Sequence, residues 1–397
     1  MPGTWCERSG SAARAGGQKL ETSILSEPSA PSGDRITAIG LAAQPSTHGM
    51  QYRHVGSSGL RSSAIGVGCF PFGGFLNQAQ SHAVVHGAMD LGINYFDTAN
   101  SYGLGKFEEF LGSALAGGRR HDAIIATKFA NRMADGPNDV GASRISILRA
   151  CEASLRRLKT DHIDLYQLHW PDRRTPIEET LRALDDLVRS GKVRYIGASN
   201  LYEWELCEAH HVARNLGVAS FVSTQDFYNL LYRDIEKRFE PFCIKYGIGM
   251  THYFPLAAGM LSGIHRRGAI VPGTRQANNP NTASWQTERN WAVTEQLQAF
   301  ASERGWTLAQ MALAWLLQRP ATFTVIAGAD KPEHLQDNVK ALQVRFTPDD
   351  LVEIDRITLV DEDRSVAPPY RLLRPEKVHE FETLQRARAG APSRAAH

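Results

Sequence analysis

Asp97, Tyr102, Lys128 and His169 are side chains that together can move a proton onto a carbonyl oxygen. An Asp and a Lys aimed at one another form an ion pair, and a Tyr beside that pair feels the ammonium, which favours the phenolate and lowers the phenol's pKa. A Tyr tuned in this way is a competent general acid toward a carbonyl oxygen, and His169 can orient or polarise the same oxygen. Such a set donates a proton but supplies no electrons. A reduction would need a hydride carrier; Ser199, Asn200 and Gln225 suit the carboxamide of a nicotinamide, and Tyr253 offers a flat face for its ring. Taken singly, an Asp or a His of this kind is more often a helix cap or a satisfied buried group. Several together on one rim are much harder to attribute to capping.

What would put them on one rim is a set of eight short apolar runs: AIGVGC (64–69), INYFD (93–97), AIIATK (123–128), HIDLYQLH (162–169), RYIGAS (194–199), FVSTQ (221–225), IGMTHY (248–253) and TFTVIAG (322–328). They are β-branched or aromatic runs rather than strict alternations, the form of parallel strands covered on both faces. Between them lie amphipathic segments. SRISILRACEASLRRL (143–158) keeps Ile147, Leu148, Cys151, Leu155 and Leu158 at a three-or-four spacing, and PIEETLRALDDLVRSGK (176–192) opens on Pro and closes near Gly. Eight βα repeats with no compositional break predict a single α/β domain, a (β/α)8 TIM barrel over residues 50–360. Its active site is then built at the carboxyl ends of the strands, where the candidate residues fall. The interval from Tyr253 to Thr322 is much the longest and holds GAIVPGTRQANNPNTAS, which reads as a long βα loop over that face. An open doubly wound sheet would carry G-x-G-x-x-G after its first strand, but Gly66 and Gly68 are followed by Pro71 where the third Gly should stand.

Composition narrows the classes further. The 397 residues are 42% apolar and 22% charged, with a net charge of +2, an ordinary globular balance that excludes a coiled coil or a collagen-like fibre. Lys and Arg are interspersed with acids, so nothing suggests a nucleic acid or an anionic membrane as partner. Cys6, Cys69, Cys151, Cys207 and Cys243 contain no C-x-x-C pair, which argues against a disulfide framework or structural zinc and for a reducing, cytoplasmic setting. No stretch approaches the roughly 20 apolar residues of a membrane span. Residues 1–49, rich in Gly, Ser, Ala and Pro, are expected to be a disordered extension, and residues 361–397 a Pro-, Arg- and Ala-rich tail. Oligomeric state leaves no mark in the sequence.

The stretches INYFDTANSYGLGKFEEFLG, IIATKF, DHIDLYQLHWPD, GKVRYIGASN, STQDFYNLLYR, YFPLAAGMLSG and VIAGADKPEHLQDN resemble the aldo-keto reductase superfamily, in family order and spacing. The resemblance implies reversible hydride transfer between NADP(H) and a small aldehyde or ketone. It implies Tyr102 as proton donor, Lys128 as its pKa modulator held by Asp97, and His169 as substrate-orienting partner. It assigns the nicotinamide carboxamide to Ser199, Asn200 and Gln225, the stacking ring to Tyr253, and the pyrophosphate crossing to Leu256 and Gly259. Gly328, Lys331, His334, Gln336 and Asn338 lie where the family grips the adenosine end. Two departures stand out: Phe254 replaces the Ser usual after the stacking aromatic, and Asp330 sits beside Lys331 where a 2'-phosphate would be met. Asp330 repels that phosphate and Lys331 attracts it, so NADPH is the expected cofactor and NADH the alternative.

Other residues have plainer readings. Phe70 and Phe72 after the first run, and Trp170 beside His169, could wall a substrate pocket or simply pack. His82 and His86, four apart on a helix, lack a third ligand and are expected on a solvated face; His210 and His211 are likewise expected at the surface, and no metal site is expected. A glycosidase would need two carboxylates at strand ends that here hold His169 and Tyr253. A Schiff-base aldolase could use Lys128, although pairing with Asp97 would keep it protonated. An NAD-dependent sugar or alcohol dehydrogenase of the same fold is one alternative. A nucleotide-binding, redox-sensing accessory subunit, a role some relatives play at membrane channels, is another.

Overall fold

A computed structural model describes residues 49–278 and 280–359; the expected disordered head and Pro/Arg-rich tail therefore lie outside the described residues. A short antiparallel hairpin comes first, β1 (Tyr52–His54) and β2 (Arg61–Ser63). Eight strands follow: β3 (Ile65–Gly68), β4 (Tyr95–Asp97), β5 (Ile124–Phe129), β6 (Ile163–Leu168), β7 (Val193–Ser199), β8 (Ser223–Phe227), β9 (Gly249–Tyr253) and β10 (Thr322–Gly328). They pair in parallel and close on themselves, β10 returning to β3, with helices in the crossovers. All eight coincide with the apolar runs to within a few residues, and the fold is the expected (β/α)8 barrel. The helices expected over 143–158 and 176–192 form over Arg144–Leu158 and Ile177–Arg189. Ser143 caps the first by accepting from the Ser146 N–H.

Side chains alternate along each strand, so Ile124, Ala126 and Lys128 of β5 share one face. Ile124 and Ala126 belong to an interior cluster with Tyr95, Leu165, Phe323 and Ile326, which places Lys128 inside the barrel, on the mouth side of that apolar layer. Between the apolar layer and the mouth the interior turns polar. Gln167, Ser223, Thr251 and Thr324 are fully buried with side-chain atoms that meet no hydrogen-bond partner among the described residues. A β-carbon on Gly197 would lie 2.8 Å from the Ser223 hydroxyl, so glycine is what leaves that layer its room.

The hairpin falls within the expected barrel range of 50–360, but no strand is expected there, the first apolar run beginning at residue 64. Its turn packs Val55 and Leu60 onto the interior cluster and stoppers the amino-terminal end of the barrel. Gly56 (φ +57°) is required there, because a β-carbon would stand 2.4 Å from the Val222 carbonyl oxygen. The long interval after β9 is not plain loop: it contains a short helix, Arg275–Asn278, and a 3-10 segment, Pro280–Trp285, with Trp285 buried under it.

Two surface expectations need correction. His82 and His86 do not face open solvent; their Nε2 atoms engage the Ser113 hydroxyl (2.7 Å) and the Ala114 carbonyl (2.9 Å) of the neighbouring helix. The outward stripe of that first helix is narrow, because Lys106–Ala114 packs against it. His210 is half-buried against Tyr246, with ring centroids 4.7 Å apart, and only His211 is exposed. No cluster able to hold a metal ion occurs among the described residues, and no helix there is long and apolar enough to cross a membrane.

Candidate active site

Lys128 has no exposed surface. Its Nζ donates to both Asp97 oxygens (2.8 and 2.7 Å) and to the Thr98 carbonyl (2.8 Å), and Tyr102 also bonds to it. β4 and β5 are adjacent and pair Asp97 with Ala126, which puts Lys128 two residues nearer the mouth, within reach of the carboxylate. The ring of Tyr102 lies over the ammonium at 5.1 Å. Burial by itself favours the neutral amine, but the Asp97 carboxylate and Tyr102 outweigh it and raise the Lys128 pKa above its ordinary value. The amine therefore stays protonated, which removes the basis for a Schiff-base nucleophile.

Tyr102 is positioned by an unusual turn. Gly103, Leu104 and Gly105 all adopt positive φ (56°, 54° and 96°) directly after it. A β-carbon at position 103 would strike the Phe107 ring at 2.5 Å, and one at 105 the Arg157 side chain at 2.5 Å. Both glycines are needed for conformation and for space. The Tyr102 ring is held edge-on by Phe70 (5.3 Å) and tilted against Phe107 (6.0 Å).

His169, just past β6, is 5.7 Å from Tyr102 between ring centroids, near perpendicular to it. Burial, and then the Lys128 charge, hold its pKa well below the ordinary histidine range, so the imidazole is neutral at physiological pH. Its backbone is pinned on both sides: its N–H donates to the Phe129 carbonyl (3.1 Å) and its own carbonyl accepts from Asn200 Nδ2 (2.9 Å). Its Nδ1 meets Asn131 Nδ2 at 3.3 Å, and that same nitrogen donates to the Ser101 hydroxyl at 3.1 Å. Asn131 was not singled out from sequence. It lies two residues beyond β5, in a loop with no motif of its own.

The expected carboxamide residues are gathered on β7 and β8. Gln225 donates to Asp97 Oδ1 (2.7 Å), which leaves its carbonyl oxygen as the group to accept from an amide nitrogen. Ser199 donates to the backbone carbonyl of Gln225 (2.8 Å). Asn200 sits at φ +61°, a left-handed conformation that Asn tolerates better than most residues. Both of its N–H groups are engaged, by the His169 carbonyl and the Ser199 hydroxyl (2.9 Å), and its oxygen accepts from Tyr253 (2.7 Å). Asn200 thus ties three candidate residues together, a role the sequence reading did not give it.

Tyr253 ends β9 half-buried, its ring against Phe227 (5.6 Å) and Phe254 (5.7 Å). Beyond it the chain passes through positive φ at Phe254, Ala257, Ala258 and Gly259, three of them non-glycine. Backbone held in this region costs on the order of 1–3 kcal/mol per residue and concentrates at functional sites. Leu256 and Gly259, the expected pyrophosphate crossing, lie in this segment; a β-carbon on Gly259 would lie 3.1 Å from Gln276 and 3.4 Å from His265 of the long loop. Gly328, Lys331, His334 and Gln336 are exposed at and after the end of β10, whereas Asn338 is buried with an Nδ2 that meets no partner among the described residues. An amide donor orphaned beside that exposed strip fits the adenine end of a dinucleotide, whose ring nitrogens are acceptors.

Of the pocket candidates, Phe70 and Trp170 are half-buried beside Tyr102 and His169, Trp170 stacking on His169 at 6.4 Å. Phe72 is wholly buried in the main core and offers no surface to the mouth, because the loop after β3 folds it inward beneath itself.

Residues 64–358 match the model of the aldo/keto reductase family. The chain is 36% identical, over 78% of its length and 96% of the relative's, to a probable voltage-gated potassium channel subunit beta of Oryza sativa subsp. japonica. It is 33% identical over 76% of its length, and 95% of the relative's, to versiconal hemiacetal acetate reductase of Aspergillus parasiticus. To L-glyceraldehyde 3-phosphate reductase of Escherichia coli O157:H7 it is 35% identical, covering 79% of this chain and 94% of that one.

Proposed function

The chain belongs to the aldo/keto reductase family, and on that premise we propose that it reduces an aldehyde or ketone to the alcohol, reversibly, with NADPH as the preferred cofactor. The observation that carries this reading is the juxtaposition of Tyr102 with a fully buried, fully bonded Lys128 and a neutral His169. When bound, a reduced nicotinamide supplies the hydrogen and two electrons that the carbonyl carbon takes up. Every other element of the chemistry rests on the chain's own residues. Tyr102 gives its hydroxyl proton to the developing alkoxide, and the Lys128 ammonium stabilises the phenolate left behind. Asp97 keeps that ammonium in place and charged. His169, uncharged, can share the carbonyl oxygen with Tyr102 as a hydrogen-bond donor without competing as an acid.

Ser199 and Gln225 would hold the carboxamide, Tyr253 the nicotinamide face, Leu256 and Gly259 the pyrophosphate, and Gly328, Lys331, His334, Gln336 and Asn338 the adenosine end. Lys331 favours NADPH over NADH, against the charge of Asp330. The free, buried thiols of Cys69, Cys151 and Cys243 accord with a cytoplasmic setting.

Titration with NADPH and NADH, followed by a carbonyl panel read at the nicotinamide absorbance, tests the proposal. Tyr102→Phe keeps the ring contacts and removes the proton; it is expected to lower kcat by about 10²–10⁴-fold with nucleotide affinity unchanged. Survival of turnover in that variant would overturn the role of Tyr102. Tight nucleotide binding by the wild-type chain with no turnover of any carbonyl would favour an accessory subunit, the class named for the rice relative.

A further inference from the structure

We propose that Asn131 is a positioning residue that fixes the tautomer of His169, so that Nε2–H is presented to the carbonyl oxygen of the substrate. This rests on the reductase reading and extends it to a residue outside the four-residue set. The argument is one of hydrogen-bond valence. An amide nitrogen carries two hydrogens and no available lone pair, so it can only donate. Asn131 Nδ2 places one hydrogen on the Ser101 hydroxyl (3.1 Å) and the other toward His169 Nδ1 (3.3 Å). With the amide in this orientation Nδ1 accepts, and a neutral imidazole then has its single hydrogen on Nε2, on the opposite side of the ring.

The ring cannot readily turn to escape this choice. His169 is held through its backbone by Phe129 and Asn200, and its ring lies between Tyr102 and Trp170. The charged or titratable groups facing it are Lys128 from β5 and Tyr102 from the loop after β4; the ammonium opposes a second proton on the ring. Asn131 in turn is fixed through Ser101, the residue preceding Tyr102. The two groups aimed at the substrate oxygen, the Tyr102 hydroxyl and the His169 imidazole, therefore share one anchor point.

The test is 15N NMR of the histidine-labelled full chain, which distinguishes a protonated from a bare ring nitrogen, combined with kinetics of Asn131→Asp. In the wild type the His169 signals are expected to report Nε2–H and a bare Nδ1. An aspartate at 131 has no hydrogen to give, so Nδ1 must carry one, and the signals should move to Nδ1–H or to the doubly protonated ring. With the donor withdrawn from the substrate, kcat should fall by about 10²-fold or more while nucleotide affinity stays within about twofold. Wild-type His169 protonated on Nδ1 overturns the proposal whether or not the variant folds. So does an Asn131→Asp enzyme with unchanged tautomer and unchanged kcat. Absence of carbonyl turnover in the wild type would refute the reductase reading instead, and the NMR tautomer would still decide the role of Asn131.

Discussion

Replacing Asp97 by Leu should convert Lys128 from a stabilising group into a destabilising one whose effect depends on pH. In the wild type the Lys128 pKa is raised, so its contribution is fully present below the unfolded-lysine value of about 10.4 and is lost only as pH climbs through the folded value. Stability should accordingly be insensitive to this group between pH 7 and 9. Without Asp97 the ammonium keeps the Thr98 carbonyl and Tyr102 but loses the larger of its two opposing influences, and burial, the largest single influence on this lysine, prevails. Its pKa then drops below the unfolded value. A depressed lysine contributes full stability above the unfolded pKa and loses it as pH falls, so Asp97→Leu should be more stable at pH 9 than at pH 7, by up to about 1.4 kcal/mol per pH unit. Breaking a buried pair by removing one partner costs about 3–5 kcal/mol. The double replacement Asp97→Leu with Lys128→Met removes both charges and should recover most of that, leaving about 1–3 kcal/mol for the Gln225 N–H that has lost its acceptor. Urea unfolding of the three proteins at pH 7, 8 and 9, without nucleotide, measures all of this. A single variant whose midpoint does not move with pH, or a double variant no more stable than the single, would refute the reasoning.

Two further outcomes are expected. Asn338→Ala should weaken NADPH binding by about tenfold and leave kcat at saturating nucleotide unchanged, because its buried amide nitrogen meets no partner among the described residues and would gain one from the nucleotide on the proposed function; equal affinity, measured by fluorescence titration, would remove Asn338 from the adenosine site. His252, wholly buried, is held down at about 3 by burial and then by Arg319, and a histidine depressed in this way loses stability as pH falls below the unfolded value of about 6.5. From pH 7 to 4 that loss is roughly 3 kcal/mol, so the urea midpoint of His252→Gln should fall less than that of the wild type; parallel falls would show that the acid sensitivity lies elsewhere.

The sequence made the barrel legible because parallel strands buried on both faces leave unbroken apolar runs, and the side chains that end those runs are the ones that meet at the mouth. Asp97, Lys128 and Gln225 could be placed together on that ground alone. The hairpin escaped because β1 and β2 are three-residue strands with no apolar run, recognisable only once the barrel end they cover exists. Phe72 stays open between pocket wall and packing in the sequence because its role depends on which way a loop folds. Asn131 and the bond from Asn200 to the His169 carbonyl escaped for a related reason: a hydrogen-bond donor in a loop has no period, and these partners lie 30 or more residues away. The His82 and His86 contacts show that an amphipathic stripe reveals which face is apolar but not how far a neighbouring helix overlaps the other.

The stopper formed by the hairpin gives the barrel one door. Phe70, Tyr102, His169 and Trp170 stand ring against ring on the mouth side of Lys128. On the proposed function, two reactants and two products share that passage. The candidate nicotinamide residues Ser199 and Gln225 lie deep, at 1% and 2% exposure, beneath the half-buried rings that would receive the carbonyl. Traffic through a single door with one occupant behind the other is last in, first out. On that reading the nucleotide arrives before the carbonyl and leaves after the alcohol, an order that product-inhibition patterns would check.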